Sequence, residues 1–172
     1  FSKSGDWLFT TENDYEGGTG RVAVWDAANG YARAGDFPSG GIGPHEIRRL
    51  PGTDTLVIAN GGIDTHPDSG RTKLNIPTMA PNLAYAEDGV VVETVALAPK
   101  WHKNSIRHIA VAEDGTVAAG MQWQGEDTPL AMVAIHWRGA GEMTSLATPD
   151  ANLLDLKGYI GSIAVHSGTI TA

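Results

Sequence analysis

Runs of alternating apolar and polar side chains recur along the chain and predict β-strands. The segments RVAVWDA (21–27) and VVETVALAP (91–99) alternate with a period of two, and LAMVAIHW (130–137) is a mostly apolar run. Such runs, rich in Val, Ile and Trp, are typical of strands. An apolar stripe at helical spacing nowhere extends beyond about two turns. The pattern therefore predicts an all-β protein.

A longer repeat overlies this alternation. An apolar residue, a Gly-containing turn and a second apolar run begin near Phe1, Leu50, Val111 and Val165. The intervals of roughly 50–60 residues lie near or somewhat above the length of a propeller blade. Each turn favours a hairpin, since Gly supplies the positive φ that a tight reversal needs.

We therefore predict that residues 1–172 are part of a single β-propeller domain. The blade-like units start near residues 1, 43, 105 and 159 and amount to three to four blades. A closed ring needs at least about four blades. The chain also begins and ends inside such units, so we expect it to be a fragment of a longer protein.

Composition narrows the classes of function. The 172 residues carry a net charge of -8 and include no Cys. The negative charge argues against a nucleic-acid surface, which needs clustered Lys and Arg. The lack of Cys excludes disulfides, thiolate catalysis and Cys-ligated metal centres. No apolar run reaches the ~18 residues of a membrane-spanning helix.

Ionisable side chains come directly before two predicted inner strands, in GIGPHEIRRL (41–50) and SIRH (105–108). Functional residues concentrate on rim loops held by a rigid scaffold. Counted back from the repeat starts, His45 and His108 share a strand face, and Glu46 and Arg107 occupy one position in neighbouring units. We predict that these side chains line one site at the mouth of the channel. Alternatively, they satisfy backbone groups of a neighbouring blade, or Arg107 simply pairs with Glu46.

A long loop follows the strand that ends near Asn60. The segment ANGGIDTHPDSGRTKLN (59–75) does not return to a strand pattern until about residue 82, and loops of this length are usually functional or disordered. The Asp-x-His-x-Asp motif around His66 has oxygen and imidazole ligands for a divalent metal, although ordinary turns are also rich in Asp. Arg71 suits bidentate capture of a carboxylate or phosphate, or is simply solvated.

The segment GMQWQGED (120–127) leaves the next unit at the equivalent place. Its alternation directs one pair of side chains to the core and the other, which includes Gln122, to polar surroundings. Together these segments predict nine ligand-binding residues: His45, Glu46, Asn60, His66, Arg71, Asn75, Arg107, His108 and Gln122. If the ligand is a divalent metal, His45 and His108 are its predicted ligands.

The segments GIGPHEI, LVIANGGIDTHPDSGRTKLN, SIRHIAV and GMQWQG, in this order, closely resemble domain of unknown function 1513. The likeness covers nearly the whole chain, to YIGSIAV near its end. It implies a seven-bladed, propeller-like fold in a chain about twice as long, with twin-arginine export to the periplasm. Members are often encoded beside iron-uptake components, an imelysin-like lipoprotein and a di-haem peroxidase-like protein, which are therefore the implied partners. The family has no established activity and supplies no catalytic residues.

Three hypotheses follow from these observations. The first is an exported propeller that binds a small anionic ligand or a metal, with a link to iron uptake by analogy. The second is a metal-dependent hydrolase resembling lactonases, with His45 or His108 as base or metal ligand. The third is a scaffold that docks proteins on the 61–80 loop. We favour binding over catalysis.

Overall fold

The computed structural model describes residues 1–70, 72–126, 131–146 and 156–172. Within these ranges the chain forms antiparallel strands, turns and short 3-10 helices, and it contains no α-helix. The prediction of an all-β protein is confirmed. None of the described helices has the length and apolar character needed to cross a membrane.

The strands form three larger sheets and one hairpin, each a meander of consecutive strands. The first sheet contains β1 (Trp7–Asp14), β2 (Thr19–Asp26) and β3 (Ala32–Pro38). The second contains β4 (Pro44–Arg49), β5 (Leu56–Asn60), β6 (Asn82–Glu87) and β7 (Val90–Ala96). The third contains β8 (Asn104–Val111), β9 (Val117–Trp123), β10 (Val133–His136) and β11 (Thr144–Leu146). The hairpin pairs β12 (Ala164–His166) with β13 (Thr169–Thr171), and the 3-10 helices are Pro67–Ser69, Ile76–Thr78 and Pro99–Trp101.

The second sheet lies between the other two, so both of its faces are covered. Every residue of β5 is buried. Because side chains alternate across a strand, Val57 packs in a cluster with Ile109 of the third sheet, and Ile58 packs in another with Val22 of the first. A strand with two covered faces reads as a continuous apolar run, which explains LVIA in the sequence.

The first strands of the second and third sheets, β4 and β8, lie against each other. The Ser105 hydroxyl donates to the carbonyl of Gly61 at 2.8 Å, which joins the start of β8 to the end of β5. A Cβ on Gly61 would lie 2.8 Å from the Ser105 oxygen, so only glycine permits this approach. The contact fixes the relative position of the two strands that carry the predicted site.

Candidate functional site

Two β-bulges at equivalent places determine where the site residues lie. The register of β4 shifts at His45, and that of β8 shifts at Arg107. Glu46 and His108 follow the bulges and are the next equivalent pair. The segments GPHE and SIRH therefore occupy equivalent places in the two sheets, as predicted.

The finer match, of Glu46 with Arg107, is wrong by one residue. The turn between β4 and β5 (50–55) is one residue longer than the turn between β8 and β9 (112–116), so counting back from the turns misaligns the strands. His45 and His108 consequently do not share a register position. They still meet edge to face, with ring centroids 5.0 Å apart.

A hydrogen-bonded chain crosses the cluster from β4 to the segment that follows the third sheet. Glu46 Oε2 lies 3.2 Å from His108 Nδ1 and accepts the Ile109 amide at the same distance. His108 Nε2 lies 3.1 Å from the Tyr159 hydroxyl. A carboxylate can only accept, so His108 donates from Nδ1; in the neutral imidazole Nε2 then accepts a hydrogen bond from the Tyr159 hydroxyl. The hydrogen bonds from Glu46 through His108 thus hold the Tyr159 phenol in a defined orientation.

Glu46 is fully occupied within the protein. Its other oxygen, Oε1, pairs with Arg48 at 2.5 Å. The alternative in which Arg107 pairs with Glu46 is therefore wrong, because Arg48 and His108 take that place. Glu46 holds His108 in position, and both of its carboxylate oxygens have partners within the protein.

Arg107 is the unusual member of the cluster. Its Nε is buried and has no hydrogen-bond partner. Among the described residues, no carboxylate lies within ion-pair distance of its guanidinium group. Burial lowers the pKa of Arg107, and Tyr159 opposes that shift. A partly desolvated cation without a counter-charge is costly to a fold.

His45 lies beside this cation with one side of the residue exposed. Burial of the rest of the ring lowers the pKa of His45, and the charges of Arg107 and His108 lower it further. A hydrogen bond to the Arg107 backbone opposes the shift. His45 is therefore neutral at pH 7, so Arg107 supplies the uncompensated positive charge at this point.

Tyr159 is the functional candidate that the sequence analysis missed. Gln122 forms an isolated β-bridge with Tyr159, and Ile160 donates its amide to Met121. Ile160 packs on Gly120, where a Cβ would lie only 2.6 Å from its Cγ2. These contacts dock the segment beside β9 and bring the half-exposed phenol to His108. The signal available in the sequence was the aromatic residue in YIGSIAV, the motif matching SIRHIAV. We call His45, Glu46, Arg107, His108 and Tyr159 the β4–β8 cluster.

Asn60, Asn75 and Gln122 take part in the backbone framework around the cluster. Asn60 is fully buried, accepts the Ser39 hydroxyl at 2.8 Å and donates to Asn82 Oδ1 at 2.9 Å. Asn75 accepts the Asp64 amide at 2.7 Å and donates to the Gly62 carbonyl at 2.9 Å, which closes the base of the long loop.

His66 lies on that loop and contacts Asp68 and Tyr15. Its Nδ1 accepts the Asp68 amide at 3.2 Å and caps the 3-10 helix Pro67–Ser69. Its ring also meets Tyr15 edge to face, at 5.9 Å between centroids. Within the described part of the chain, no hydrogen bond or ring contact joins His66 to the β4–β8 cluster. Arg71 lies outside the described residues.

The predicted metal ligands have other partners. Both ring nitrogens of His108 are engaged, by Glu46 and Tyr159. In the described ranges, three or more His, Asp or Glu side chains nowhere converge in a way that could hold a metal ion. The geometry therefore gives more support to an anionic ligand facing Arg107 than to a metal between His45 and His108.

Comparison with protein families gives one full-length match. The family described as "Protein of unknown function (DUF1513)" matches residues 1–172. Comparison with curated proteins gave no match.

Proposed function

Because this chain belongs to the DUF1513 family, whose function is unknown, we propose its function from the site: it binds a small ligand at the β4–β8 cluster. The observation that carries the proposal is the buried, unpartnered Nε of Arg107. Buried polar groups in native proteins are nearly always paired, and an exception calls for an explanation. A bound ligand supplies the missing partner.

The rest of the cluster fits a binding site. The Tyr159 residue is 41% exposed although its hydroxyl is held by His108, which leaves an oriented aromatic ring facing solvent. Oriented aromatic and polar groups at one point are typical of small-molecule sites. Glu46 and His108 are hydrogen-bonded to each other, and His108 is hydrogen-bonded to Tyr159. They therefore position the Tyr159 ring and do not bind the ligand themselves.

We also propose that the sheets are blades of a β-propeller and that the cluster lies at its channel mouth. Each larger sheet is a meander, and β4, β8 and β12, the first strands of successive units, follow one another in contact. Propellers repeat such sheets around a central axis. The unit boundaries near 1, 43, 105 and 159 remain predictions of this proposal.

Location and partners rest on the resemblance alone. We propose that the protein acts in the periplasm beside iron-uptake proteins. Cell fractionation with an antibody against the native protein tests the location: recovery with the periplasmic fraction supports it, and recovery in the cytosol contradicts it.

Ligand-observed NMR on the full chain tests the binding function. The panel contains neutral sugars, amino acids, carboxylic acids, inorganic phosphate and divalent metal salts, and the variants are His108→Gln and Tyr159→Phe. We expect at least one compound to bind and each variant to weaken its binding about tenfold, because each variant disrupts the His108–Tyr159 hydrogen bond that orients the tyrosine ring. Tyr31→Phe, at another half-exposed tyrosine, is the matched control. Binding that neither site variant changes, or no binding at all, contradicts the proposal, and the latter favours the docking scaffold.

A second candidate function is acid–base catalysis on the bound ligand, as in the hydrolase hypothesis. The specific observation is the Glu46–His108–Tyr159 chain, in which a carboxylate orients a histidine that accepts a phenol proton. A base oriented by a third group is the usual arrangement in acid–base catalysis. Hydrolysis of a lactone panel, with and without added divalent metal, tests it. Activity lost in His108→Gln supports catalysis. Activity retained in that variant shows that the hydrogen-bonded residues Glu46, His108 and Tyr159 do not catalyse the reaction.

A further inference from the structure

We infer that the ligand of the β4–β8 cluster carries a carboxylate group and that Arg107 binds it. This inference rests on the proposed function and names the chemical class of its ligand. It depends on the Arg107 donor that lacks a partner, on the charge of the surrounding side chains, and on the Arg107 backbone, which accepts a hydrogen bond from His45 of the neighbouring strand.

The first step concerns donors. Arginine presents five N–H groups in a planar fork, and a carboxylate takes two parallel ones at once. The side-on approach uses Nε–H together with one terminal N–H, and Nε is the donor that lacks a partner in Arg107. By contrast, Arg33 gives its two terminal nitrogens to Glu12 at 2.9 and 3.0 Å. Arg33 is thus paired end-on with a protein carboxylate, whereas Arg107 keeps Nε, the donor of the side-on geometry, without a partner.

The second step concerns the charge of the ligand. Arg48, the neighbouring cation on β4, is neutralised by Glu46 at 2.5 Å. His45 is neutral at pH 7, since burial lowers its pKa. With His108 in its neutral form, the site therefore offers one net positive charge, that of Arg107. A carboxylate carries one negative charge and is matched by a single guanidinium, whereas a phosphate carries close to two. Charge matching thus favours the carboxylate.

The third step concerns rigidity. Arg107 is the bulge residue of β8, and its backbone receives a hydrogen bond from His45 of β4. A bulge re-aims the side chain of the extra residue and is frequent beside functional sites. Holding the backbone from two strands reduces the entropy lost on binding. The backbone of Arg107 is therefore held before the ligand arrives, and binding requires a small shift of the side chain or its neighbours, because the buried Nε has almost no accessible surface.

The test compares acids with their amides, which have nearly the same shape and no charge. Lactate and lactamide, succinate and succinamide, and benzoate and benzamide are titrated into the full chain at constant ionic strength, with inorganic phosphate as a further probe. We expect at least one acid to bind about tenfold or more tightly than its amide. Arg107→Gln should abolish this preference, and Arg107→Lys, which keeps the charge without the fork, should weaken it. Arg33→Gln, which removes an arginine paired with Glu12 and Asp36 outside the cluster, should retain it.

The outcomes separate this inference from the proposed function. Amides that bind as tightly as acids, tighter binding of phosphate than of any acid, or a preference that survives Arg107→Gln overturn the carboxylate inference. If such binding still falls in Tyr159→Phe, the ligand site stands and only its chemistry changes. If binding is insensitive to both variants, or no probe binds, the proposed function fails as well. Circular dichroism melts of each variant verify that it is folded.

Discussion

At the scale of single residues, Arg107 lowers the stability of the fold while it serves the proposed ligand binding. A partly buried cation without a counter-charge lowers the stability of the free protein, and replacing such groups with apolar ones is often stabilising. We predict that Arg107→Met raises the free energy of unfolding by about 1 kcal/mol, measured by urea denaturation. Arg33→Met, which removes an arginine paired with Glu12 and Asp36, should bring no gain. A loss of stability in Arg107→Met would mean that the guanidinium supports the fold.

Replacing Asn60, unlike replacing Arg107, should lower the free energy of unfolding. Its amide is buried and bonded to Ser39 and Asn82, so truncation leaves several buried polar groups without partners. We predict that Asn60→Ala lowers the free energy of unfolding by about 2–3 kcal/mol. Asn29→Ala, at an exposed turn, should change it by less than about 0.5 kcal/mol. Equal effects of the two changes would contradict a structural role for Asn60.

The residues that sequence reasoning could and could not identify differ in how they reach the site. His45, Glu46, Arg107 and His108 lie beside repeated turns, so their proximity follows from the repeat. Tyr159 reaches His108 because Gly120 leaves room for Ile160, a packing relation between distant segments. A period or a motif does not encode that relation, and the predicted set therefore omitted the phenol.

At the scale of elements, the bulges explain why the strands were predicted and their exact registers were not. Alternation identifies β4 and β8 because most of each strand is regular. One extra residue at His45 and at Arg107, together with one extra residue in the turn after β4, changes every assignment made by counting. A bulge adds a residue without changing the apolar pattern around it. Register near a site is thus less predictable than the strand itself.

The long loop offers a matched pair of glycines for a test. Gly62 has φ +72° and a Cβ there would lie 2.5 Å from the Pro81 nitrogen, whereas Gly70 has φ +61° and open space around it. Both changes to Ala strain the backbone, by about 1 kcal/mol, but only the first also creates a clash. We predict that Gly62→Ala lowers the free energy of unfolding by at least about 1 kcal/mol more than Gly70→Ala does. Equal losses in urea denaturation would show that the loop base relaxes without penalty.

At the scale of the whole molecule, the packing of sheet against sheet follows from the apolar pattern of the sequence, but the polar groups buried between the sheets do not. Continuous apolar runs such as LVIA predict strands covered on both faces. Between the second and third sheets, however, Tyr85 and His136 are fully buried and share a hydrogen bond of 2.6 Å. Glu93 lies 3.7 Å from His136 Nε2, too far for a hydrogen bond. Only one ring nitrogen of His136 therefore has a hydrogen-bond partner: Nδ1 meets the Tyr85 hydroxyl, and the buried Nε2 has none.

The buried pair of Tyr85 and His136 makes the free energy of unfolding depend on pH. Burial lowers the pKa of His136 below its ordinary value of 6.5, and Glu93 only partly opposes the shift. Below about pH 6.5 His136 becomes protonated in the unfolded state but stays neutral in the folded state until the pH is lower. The free energy of unfolding therefore decreases as the pH falls. Above about pH 7.5 both states are neutral at this residue and stability is flat.

We predict a slope from His136 of at most about 1.4 kcal/mol per pH unit below pH 6.5. The pKa of His45 is also lowered and contributes in the same direction. His136→Gln keeps a polar partner for Tyr85 and removes the titration, so the difference in slope between the two proteins isolates His136. Parallel urea-denaturation profiles between pH 5 and 8 would contradict the prediction.

The most direct test of ligand binding at Arg107 is the ¹H–¹⁵N spectrum of the arginine Nε–H groups, assigned with Arg107→Lys. The signal is followed as the tightest-binding acid of the acid–amide pairs, and then its amide, is added to the full chain. The account predicts that the Arg107 Nε proton moves downfield and saturates with the acid, and stays in place with the amide. A signal that does not move when the acid is bound would contradict the central claim, because the ligand would then lie elsewhere.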